Sequence, residues 1–267
     1  MKKSNLSLLA LLGVISLTGC SNKFLTLEQI QESGKLIVTT NAEFAPFEYK
    51  EGNELKGIDI EIIKAYGEYI NVEVEIKDVD FDAALLSVSN CKSDLAIAAI
   101  TKNATRDETM DFTNSYYEAN QVVIVKEGSA YTSYTTVDGI VDALSANNAK
   151  IGCQRGTTGQ YYIEGDADWE FEGIANSTCM TYDSGALAVT ALANGQIDAV
   201  IIDQAPANLY CKSITGVTCL DVILTEEEYA IAVAEGNETL VKSLNEFIIK
   251  IKGDGTFESI VSKYYAE

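Results

Sequence analysis

The alternation of strand and helix patterns constrains the fold of this 267-residue chain more than any other feature. A buried-strand pattern at 35–39 precedes helical spacing of apolar residues over 59–70, an alternating strand over 72–76 and a helix over 80–88. The small and branched residues at 95–100 then suit a parallel strand that is covered on both faces. Because strands alternate with helices, this part of the chain is predicted to form an α/β lobe.

The same order of elements restarts in the middle of the chain, which predicts a second lobe. Strand patterns occur at 121–125, 150–154 and 198–202, and a helix pattern occupies 186–193. Two helices with apolar stripes follow near the C-terminus, within 240–264.

The lobe boundaries follow from these patterns. We expect the first lobe to comprise residues 24–119 together with 229–267, and the second lobe to comprise 120–228. The chain would then pass between the lobes twice. The predicted fold class is therefore α/β, with two lobes joined by a two-segment hinge.

The N-terminal residues have the layout of a secretory signal. A charged start precedes an apolar run over 6–17, which is too short to cross a membrane as a helix. The Leu-Thr-Gly-Cys sequence at 17–20 resembles a lipobox, after which signal peptidase leaves an acylated cysteine as the first residue. We expect a lipoprotein signal peptide at 1–19, lipidation of Cys20 and a tether at 20–27, so the protein would be extracytoplasmic and anchored to the outer face of the cell membrane. The alternative is an ordinary signal peptide that ends at Cys20.

Charge and residue usage argue against several classes of function. Asp and Glu outnumber Lys and Arg by 40 to 19, and a net charge of −21 repels nucleic acid and anionic lipid headgroups. The chain has no histidine, which argues against zinc chemistry and against Ser-His-Asp hydrolysis. We therefore expect no metal, no cofactor and no nucleic acid partner.

The cysteines leave the question of disulfide bonds open. After Cys20 there are five, an odd number, at positions 91, 153, 179, 211 and 219. Export permits disulfide bonds, and Cys211 and Cys219 are the closest pair in sequence. Five small buried hydrophobic side chains in a reducing habitat are an equally good explanation.

Two segments at predicted strand ends carry groups that suit a carboxylate. Thr101 and Arg106 follow the strand at 95–100, and groups at the C-terminal ends of parallel strands face the ligand crevice of open α/β sheets. The guanidinium fork of arginine matches a carboxylate, although an arginine taken alone is more often part of a surface ion pair. The segment 152–159 offers backbone N–H groups and hydroxyls to an anion, although a tight turn with a capping threonine is the commoner explanation.

An acid stands at the end of a third strand. Asp203 follows the apolar run at 199–202, where its carboxylate can hold an ammonium group or cap the next helix. The arginine, the hydroxyls and this acid together are the electrostatic complement of a zwitterionic α-amino acid.

Four motifs resemble those of one family, along nearly the whole chain downstream of Cys20. They are Thr40 through Tyr49 with its Pro46-Phe47 turn, Gly57-Ile58-Asp59, Asp94 through Arg106 followed by Asp111-Phe112, and Gly255-Thr256-Phe257. The chain is similar to the solute-binding proteins of polar amino acid ABC importers, extracellular solute-binding proteins of family 3, which include the glutamine-, histidine- and lysine/arginine/ornithine-binding proteins. The resemblance implies a periplasmic-binding-protein-like type II fold.

The resemblance also implies a role for each site residue. Arg106 would bind the α-carboxylate of the ligand, and Asp203 would pair with its α-ammonium. The residues that assist Arg106 would be Thr101, Thr157 and Thr158. The remaining pocket-lining positions are Asn41, Phe44, Phe81, Ala98, Ala99 and Gln154. Asn41 is neutral where members with basic ligands can carry an acid, which argues against lysine-type ligands, although Glu43 nearby could restore a negative charge.

The sequence therefore predicts a binding protein and not an enzyme. A monomeric, lipid-anchored protein would capture a polar amino acid between its lobes and deliver it to an ABC-type permease. Two alternatives remain. One is a receptor domain that signals through a membrane partner, and the other is a cyclohexadienyl dehydratase-like enzyme on the same fold, for which Glu43 is the candidate acid.

Overall fold

Two five-stranded sheets organise the computed structural model of the chain, which describes residues 24–167 and 171–265. Each sheet carries helices and belongs to one of two lobes, so the predicted α/β, two-lobed fold class is confirmed. The predicted signal peptide at 1–19, the predicted lipidation site Cys20 and tether residues up to 23 lie outside the described residues. None of the helices within 24–167 and 171–265 is long and apolar enough to cross a membrane.

The elements are numbered along the chain. They are α1 (Leu27–Ser33), β1 (Lys35–Thr40), β2 (Glu43–Phe44), β3 (Glu48–Glu51), β4 (Glu54–Lys56), α2 (Ile58–Ile70), β5 (Glu73–Asp78), α3 (Phe81–Ser89), β6 (Leu95–Ala96), α4 (Ala104–Asp107), β7 (Met110–Phe112), β8 (Tyr117–Ala119), β9 (Gln121–Lys126), α5 (Val137–Ala146), β10 (Lys150–Gln154), α6 (Thr158–Glu164), β11 (Thr178–Tyr182), α7 (Gly185–Ala193), β12 (Ala199–Asp203), α8 (Gln204–Ser213), β13 (Val217–Ile223), β14 (Glu227–Tyr229), β15 (Ala232–Ala234), α9 (Glu238–Gly253) and α10 (Thr256–Tyr265).

The two sheets share one plan. The first has the strand order β5–β1–β6–β15–β7, and the second has the order β11–β10–β12–β9–β13. In each sheet, three neighbouring strands run parallel, the fourth runs antiparallel to them, and the fifth runs antiparallel to the fourth. Parallel strands that are joined through helices require cover on both faces, which explains the continuous apolar runs in β1, β10 and β12.

The chain passes between the sheets along two short strands. β8 leads from the first sheet to β9, and β14 leads from β13 back to β15. These strands pair antiparallel with each other, with Tyr117 opposite Tyr229 and Ala119 opposite Glu227. They form a two-segment hinge next to the predicted lobe boundaries at 120 and 228.

Local chemistry explains where the key helices begin and end. The Thr26 hydroxyl accepts the Gln29 N–H while the Gln29 side chain accepts the Thr26 N–H, a capping box that starts α1 at Leu27. α2 begins after Gly57, whose φ of +126° is one that only glycine adopts readily. α2 then buries one face, with Ile58, Ile62 and Ile63 among the residues without exposed surface, and each such isoleucine stabilises the fold by roughly 1.5–3 kcal/mol.

One predicted strand is shorter than expected. The sequence pattern predicts a strand over 95–100, whereas β6 spans Leu95–Ala96 only. The chain turns out of the sheet at Ala99, whose φ is +48° and whose N–H donates to Oδ2 of Asp59 at 2.8 Å. The buried carboxylate of Asp59 therefore accepts the N–H that a neighbouring strand would otherwise bind. Residues 98–101 can then line the space between the lobes.

Candidate functional site

A small cavity lies between the two lobes. The first lobe contributes Asn41, Phe44, Glu48, Phe81, Ala98, Ala99, Thr101 and Arg106, and the second contributes Gln154, Thr157, Thr158 and Asp203. All eleven residues that the sequence predicts for the ligand site thus surround one cavity, together with Glu48, which the sequence analysis did not identify. The lobes also contact each other around it.

Arg106 is buried and only partly hydrogen-bonded. It lies in the short helix α4, whose N-cap Asn103 accepts the Arg106 N–H at 2.8 Å. Nη1 donates to the carbonyl of Thr101 at 2.6 Å, and Nη2 donates to the carbonyl of Gly156 in the other lobe at 3.0 Å. Nε has no partner. An N–H group of a buried guanidinium without an acceptor is costly, so Nε is a ready donor for a ligand anion.

The guanidinium of Arg106 also lies over two aromatic rings. Its central carbon is 5.4 Å from the centroid of Phe81 and 5.9 Å from that of Tyr161. Burial lowers the pKa of Arg106, but arginine keeps its charge in proteins. The cation–π contacts help to hold this charge in a nearly solvent-free place.

Asp203 is the last residue of β12 and provides the acid of the second lobe. Its Oδ1 accepts the hydroxyl of Tyr229, in the hinge strand β14, at 2.6 Å. Burial, together with the charge of Glu227, raises the pKa of Asp203 to about 7. A ligand ammonium group in the cavity would favour the ionised form of this carboxyl group.

Glu227 is a buried hinge residue that sequence reasoning missed. Its Oε2 accepts the hydroxyl of Thr101 from the first lobe at 2.7 Å and that of Thr158 from the second lobe at 2.9 Å. Its Oε1 accepts the hydroxyl of Thr225 at 2.7 Å. Its sequence signal is weak because Glu227 lies within a run of three glutamates, 226–228, of which only Glu227 is buried.

The hydrogen bonds of Thr101, Thr157 and Thr158 bear on the role that the resemblance implies for their hydroxyls. A hydroxyl has a single hydrogen and two lone pairs. Thr101 and Thr158 use this hydrogen on Glu227, and Thr157 uses it on the carbonyl of Gln154 at 2.8 Å. In this arrangement the three hydroxyls offer lone pairs to the cavity. Lone pairs suit an ammonium group, and the assistance to Arg106 that the resemblance implies stays a prediction.

Glu48 belongs to a buried pair of carboxyl groups beside the cavity. Asp59, at the start of α2, accepts the N–H of Ala99 and the hydroxyl of Tyr116, which lies 2.9 Å from Oδ1 and 2.8 Å from Oδ2. Burial raises the pKa of Asp59 to about 6, whereas burial and the adjacent charge of Asp59 raise the pKa of Glu48 well above its ordinary value. Oε2 of Glu48 has no hydrogen-bond partner within 24–167 and 171–265. In the sequence, Glu48 looks like one more charge of an acidic turn.

Apolar and neutral groups complete the cavity wall. Phe44 and Phe81 are buried, at 6 and 7% exposure. Nε2 of Gln154 donates to Oδ1 of Asn41 across the lobes at 2.8 Å, and Nδ2 of Asn41 donates to the carbonyl of Val79 at 3.0 Å. In the part of the chain that the structure describes, Oε1 of Gln154 has no hydrogen-bond partner.

The unpartnered atoms form a pattern. Arg106 presents a buried donor, while Gln154 and Glu48 each present a buried oxygen. Buried polar atoms are nearly always hydrogen-bonded in folded proteins, so three such atoms around one cavity indicate a ligand with an anionic group and N–H donors.

The acid that the enzyme alternative requires lies elsewhere. Glu43, in β2, is exposed and is absent from the cavity wall, so naming it as the candidate acid was wrong. Its carbonyl only receives the Tyr210 hydroxyl from the other lobe, at 3.4 Å. Among residues 24–167 and 171–265, no group of three or more cysteine or acidic side chains is arranged to hold a metal ion.

Comparison with known proteins identifies the class. Residues 36–267 match the family of bacterial extracellular solute-binding proteins, family 3, and the chain belongs to that family. Over 237 residues it is 31% identical to a probable histidine-binding protein of Neisseria gonorrhoeae, an alignment that covers 86% of this chain and 82% of the relative.

Two solved structures are similar throughout. One is the amino acid ABC transporter substrate-binding protein AbpA of Streptococcus pneumoniae bound to L-arginine, with 29% identity, a TM-score of 0.80 and coverage of 90% of this chain and 98% of that chain. The other is an ancestral arginine-binding protein bound to glutamine, with 32% identity, a TM-score of 0.76 and coverage of 88% and 99%.

Proposed function

We propose that this protein captures an L-α-amino acid whose side chain ends in N–H donors, with arginine as the first candidate and glutamine as the second. The observation that carries the proposal is the set of unpartnered buried atoms around one interlobe cavity. Nε of Arg106 lies at one part of its wall, and the acidic and amide oxygens lie at others.

The backbone of the ligand would join the lobes. Its carboxylate accepts from Nε and one Nη of Arg106 in the first lobe, and its ammonium group binds Asp203 in the second. A zwitterion therefore gains both contacts only when the lobes are closed. This difference in affinity between open and closed arrangements drives closure.

The side chain of the ligand would extend between Phe44 and Phe81 toward Glu48 and Gln154. A guanidinium group is planar, stacks on aromatic rings and donates several hydrogen bonds, so it suits both the rings and the two oxygens. The carboxamide of glutamine has fewer donors and no charge. The relatives support this choice, since AbpA is bound to L-arginine and the ancestral protein to glutamine.

The location and the partner complete the proposal. Acyl chains on Cys20 hold the protein on the outer face of the cell membrane. There the closed, ligand-loaded monomer delivers its amino acid to an ABC-type permease. Similarity to a substrate-binding protein of an amino acid ABC transporter supports this delivery step.

Isothermal titration tests the choice of ligand. The full chain is purified in detergent, stripped of carried-over ligand by unfolding and refolding, and titrated with the twenty amino acids, ornithine and cystine. We expect arginine to bind most tightly and glutamine second. If refolded protein binds no amino acid at all, the proposed function is wrong.

The two arginines of the chain form a matched pair of variants. Arg106→Ala removes the carboxylate partner and is expected to weaken binding roughly 30- to several-thousand-fold, equivalent to about 2–5 kcal/mol. Arg155→Ala removes an exposed arginine whose Nη2 lies 3.3 Å from Asp183, and its binding should stay within about twofold of wild type. Equal affinities in both variants would contradict the role of Arg106.

Uptake by cells tests anchoring and delivery. In cells that lack the chain, wild type and Arg155→Ala should restore uptake of the labelled amino acid, whereas Arg106→Ala should not. Cys20→Ala should release the protein from the membrane fraction and abolish incorporation of a labelled fatty acid. Retention of both properties in that variant would exclude Cys20 as the anchor.

A further inference from the structure

Four of the five cysteines after Cys20 form two close contacts, both in the second lobe. Sγ of Cys153, in β10, lies 3.5 Å from Sγ of Cys179, in β11. Sγ of Cys211, in α8, lies 2.7 Å from Sγ of Cys219, in β13. All four are thiols in this structure.

The topology explains why these side chains meet. β10 and β11 are parallel neighbours in which Ile151 is opposite Cys179, so Cys153 lies two residues further along the same face of its strand. Helix α8 packs on β13, which brings Cys211 to Cys219 over a separation of eight residues. The first contact spans 26 residues.

Cys91 has no part in either contact. It follows α3 in the first lobe and is half-buried. The odd number of cysteines thus resolves into two pairs and one single thiol.

We propose that the folded protein forms two disulfide bonds, Cys153–Cys179 and Cys211–Cys219, and that Cys91 stays a thiol. The proposal uses the extracellular location of the family, where disulfide bonds persist. Both bonds lie within one lobe, so they leave the hinge and the closure of the lobes unrestrained. The first bond would fasten β10 directly before Gln154, at the cavity.

Each bond needs a two-electron oxidant, for which we name a small-molecule disulfide such as oxidised glutathione. The Cys211 thiolate attacks one glutathione sulfur and expels a glutathione thiolate, which leaves a mixed disulfide. The Cys219 thiolate then attacks Sγ of Cys211 and expels the second glutathione. The protein loses two protons and two electrons, and one glutathione disulfide becomes two glutathione thiols.

The two pairs should differ in rate. Cys211 and Cys219 are both half-buried, and the hydrogen bond from Cys219 lowers the pKa of Cys211, which favours the attacking thiolate. Cys153 is buried, and the thiol contact with Cys179 together with burial raises the pKa of Cys153. The Cys211–Cys219 bond should therefore form first.

Peptide mapping of the full chain tests the pairing. The reduced, folded protein is incubated with oxidised glutathione at pH 8, quenched with N-ethylmaleimide at intervals, digested without reduction and analysed by mass spectrometry. We expect two cross-linked peptide pairs, 211 with 219 first and 153 with 179 second, and N-ethylmaleimide on Cys91. The same reaction in 8 M urea should give mixed pairings.

Single substitutions make the result specific. Cys211→Ser should leave Cys219 open to alkylation and keep the 153–179 bond. Cys179→Ser should leave Cys153 as a thiol and keep the 211–219 bond. Reduction of the oxidised wild type should lower Tm by about 5–12 °C for each bond, more for the longer 153–179 loop. Cys91→Ser should change neither the map nor Tm.

Two results would overturn the proposal. One is full alkylation of all five cysteines after prolonged oxidation of folded protein. The other is a bond that joins Cys91 to any of the four, or that joins one contact pair to the other, in the folded wild type.

Discussion

At the scale of single residues, the site depends on where protons and charges are placed. Among the described residues, Arg106 is the only basic side chain on the cavity wall, whereas Glu48 and Asp203 are acidic. Glu227 accepts hydrogen bonds from two hydroxyls of the wall. A zwitterion with a cationic side chain balances this excess of buried acid better than a neutral one.

The charge of Glu48 should decide between the two candidate ligands. A bound guanidinium would favour the ionised form of Glu48, against the raised pKa of this group in the ligand-free protein. We therefore expect Glu48→Gln to weaken arginine binding about 10- to 100-fold, because a charge-assisted hydrogen bond becomes a neutral one, and to change glutamine binding less than about threefold. Titration of both amino acids checks this. Glu43→Gln, at an exposed position outside the cavity, is the matched control and should change neither affinity. Equal losses for both ligands would show that Glu48 does not contact the side chain.

The charge of Glu227 should set the pH range of binding. The ligand ammonium needs ionised Asp203, whose pKa is about 7, so affinity should fall as pH drops from 8 to 5.5, by up to about tenfold per unit below 7. Glu227→Gln removes a charge that raises this pKa, and the fall should then begin at lower pH. Calorimetric Kd values between pH 5 and 8 measure the shift. Glu228→Gln, the exposed neighbour, should reproduce the wild-type profile.

At the scale of elements, the start of α2 connects the fold to the site. Gly57 allows the backbone to pass close to Phe47. Asp59, in the first turn of α2, accepts a hydrogen bond from the N–H of Ala99. The segment that carries Ala98, Ala99 and Thr101 is thereby held at the cavity, although it makes few strand bonds of its own.

Gly57→Ala should damage the fold more than an ordinary glycine substitution. A Cβ at residue 57 would lie 2.0 Å from the Phe47 carbonyl oxygen, at a φ of +126°, so we expect a loss of at least about 2 kcal/mol in the free energy of unfolding. Gly52→Ala has a φ of +63° but no neighbour within 4 Å, and should cost about 1 kcal/mol. Urea unfolding of both variants measures the difference, and similar losses would contradict the steric argument.

At the scale of the whole molecule, closed lobes and buried acids act together. The lobes are joined across the cavity by hydrogen bonds from Gln154 to Asn41 and from Arg106 to Gly156. The backbone of Gly156 also lies so close to Asp82 that a Cβ at residue 156 would be 1.7 Å from Oδ1 of Asp82. Closure thus removes several carboxyl groups from water, in a chain whose net charge is already −21.

The ligand-free protein should therefore lose stability as pH rises. Asp59 and Asp203 have pKa values of about 6 and 7 in the folded state against 3.8 for the free groups, so the folded state binds more protons than the unfolded state between those values. Their stabilising contribution is complete below pH 3.8 and is lost as pH rises through 6 and 7. We expect a fall on the order of 5 kcal/mol between pH 4.5 and 8.

Urea unfolding at pH 4.5, 6 and 8 checks this slope. Asp203→Asn removes one of the two groups and should flatten the dependence, most of all between pH 6 and 8. A wild-type stability that increases from pH 4.5 to 8 would contradict the placement of these acids.

Much of this protein could be predicted from the sequence by itself, because the relevant signals are local. Strand and helix periodicity determined the two α/β lobes, since each pattern depends on neighbouring residues that share one face. The motifs around Pro46 and Arg106 and the acid at Asp203 indicated eleven positions that the structure brings to a single cavity. Their contact with a ligand stays a prediction.

Only the tertiary structure decided what the groups around that cavity can do. Glu227 accepts a hydrogen bond from the hydroxyl of Thr101, 126 residues away in the sequence, so the hydrogen of that hydroxyl is used within the protein. Glu48 and Asp59 are ordinary acids in the sequence, whereas burial in the fold raises the pKa of both, and the charge of Asp59 raises that of Glu48 further. Hydrogen-bond direction, desolvation and cysteine pairing depend on groups that are distant along the chain, so no local pattern can specify them.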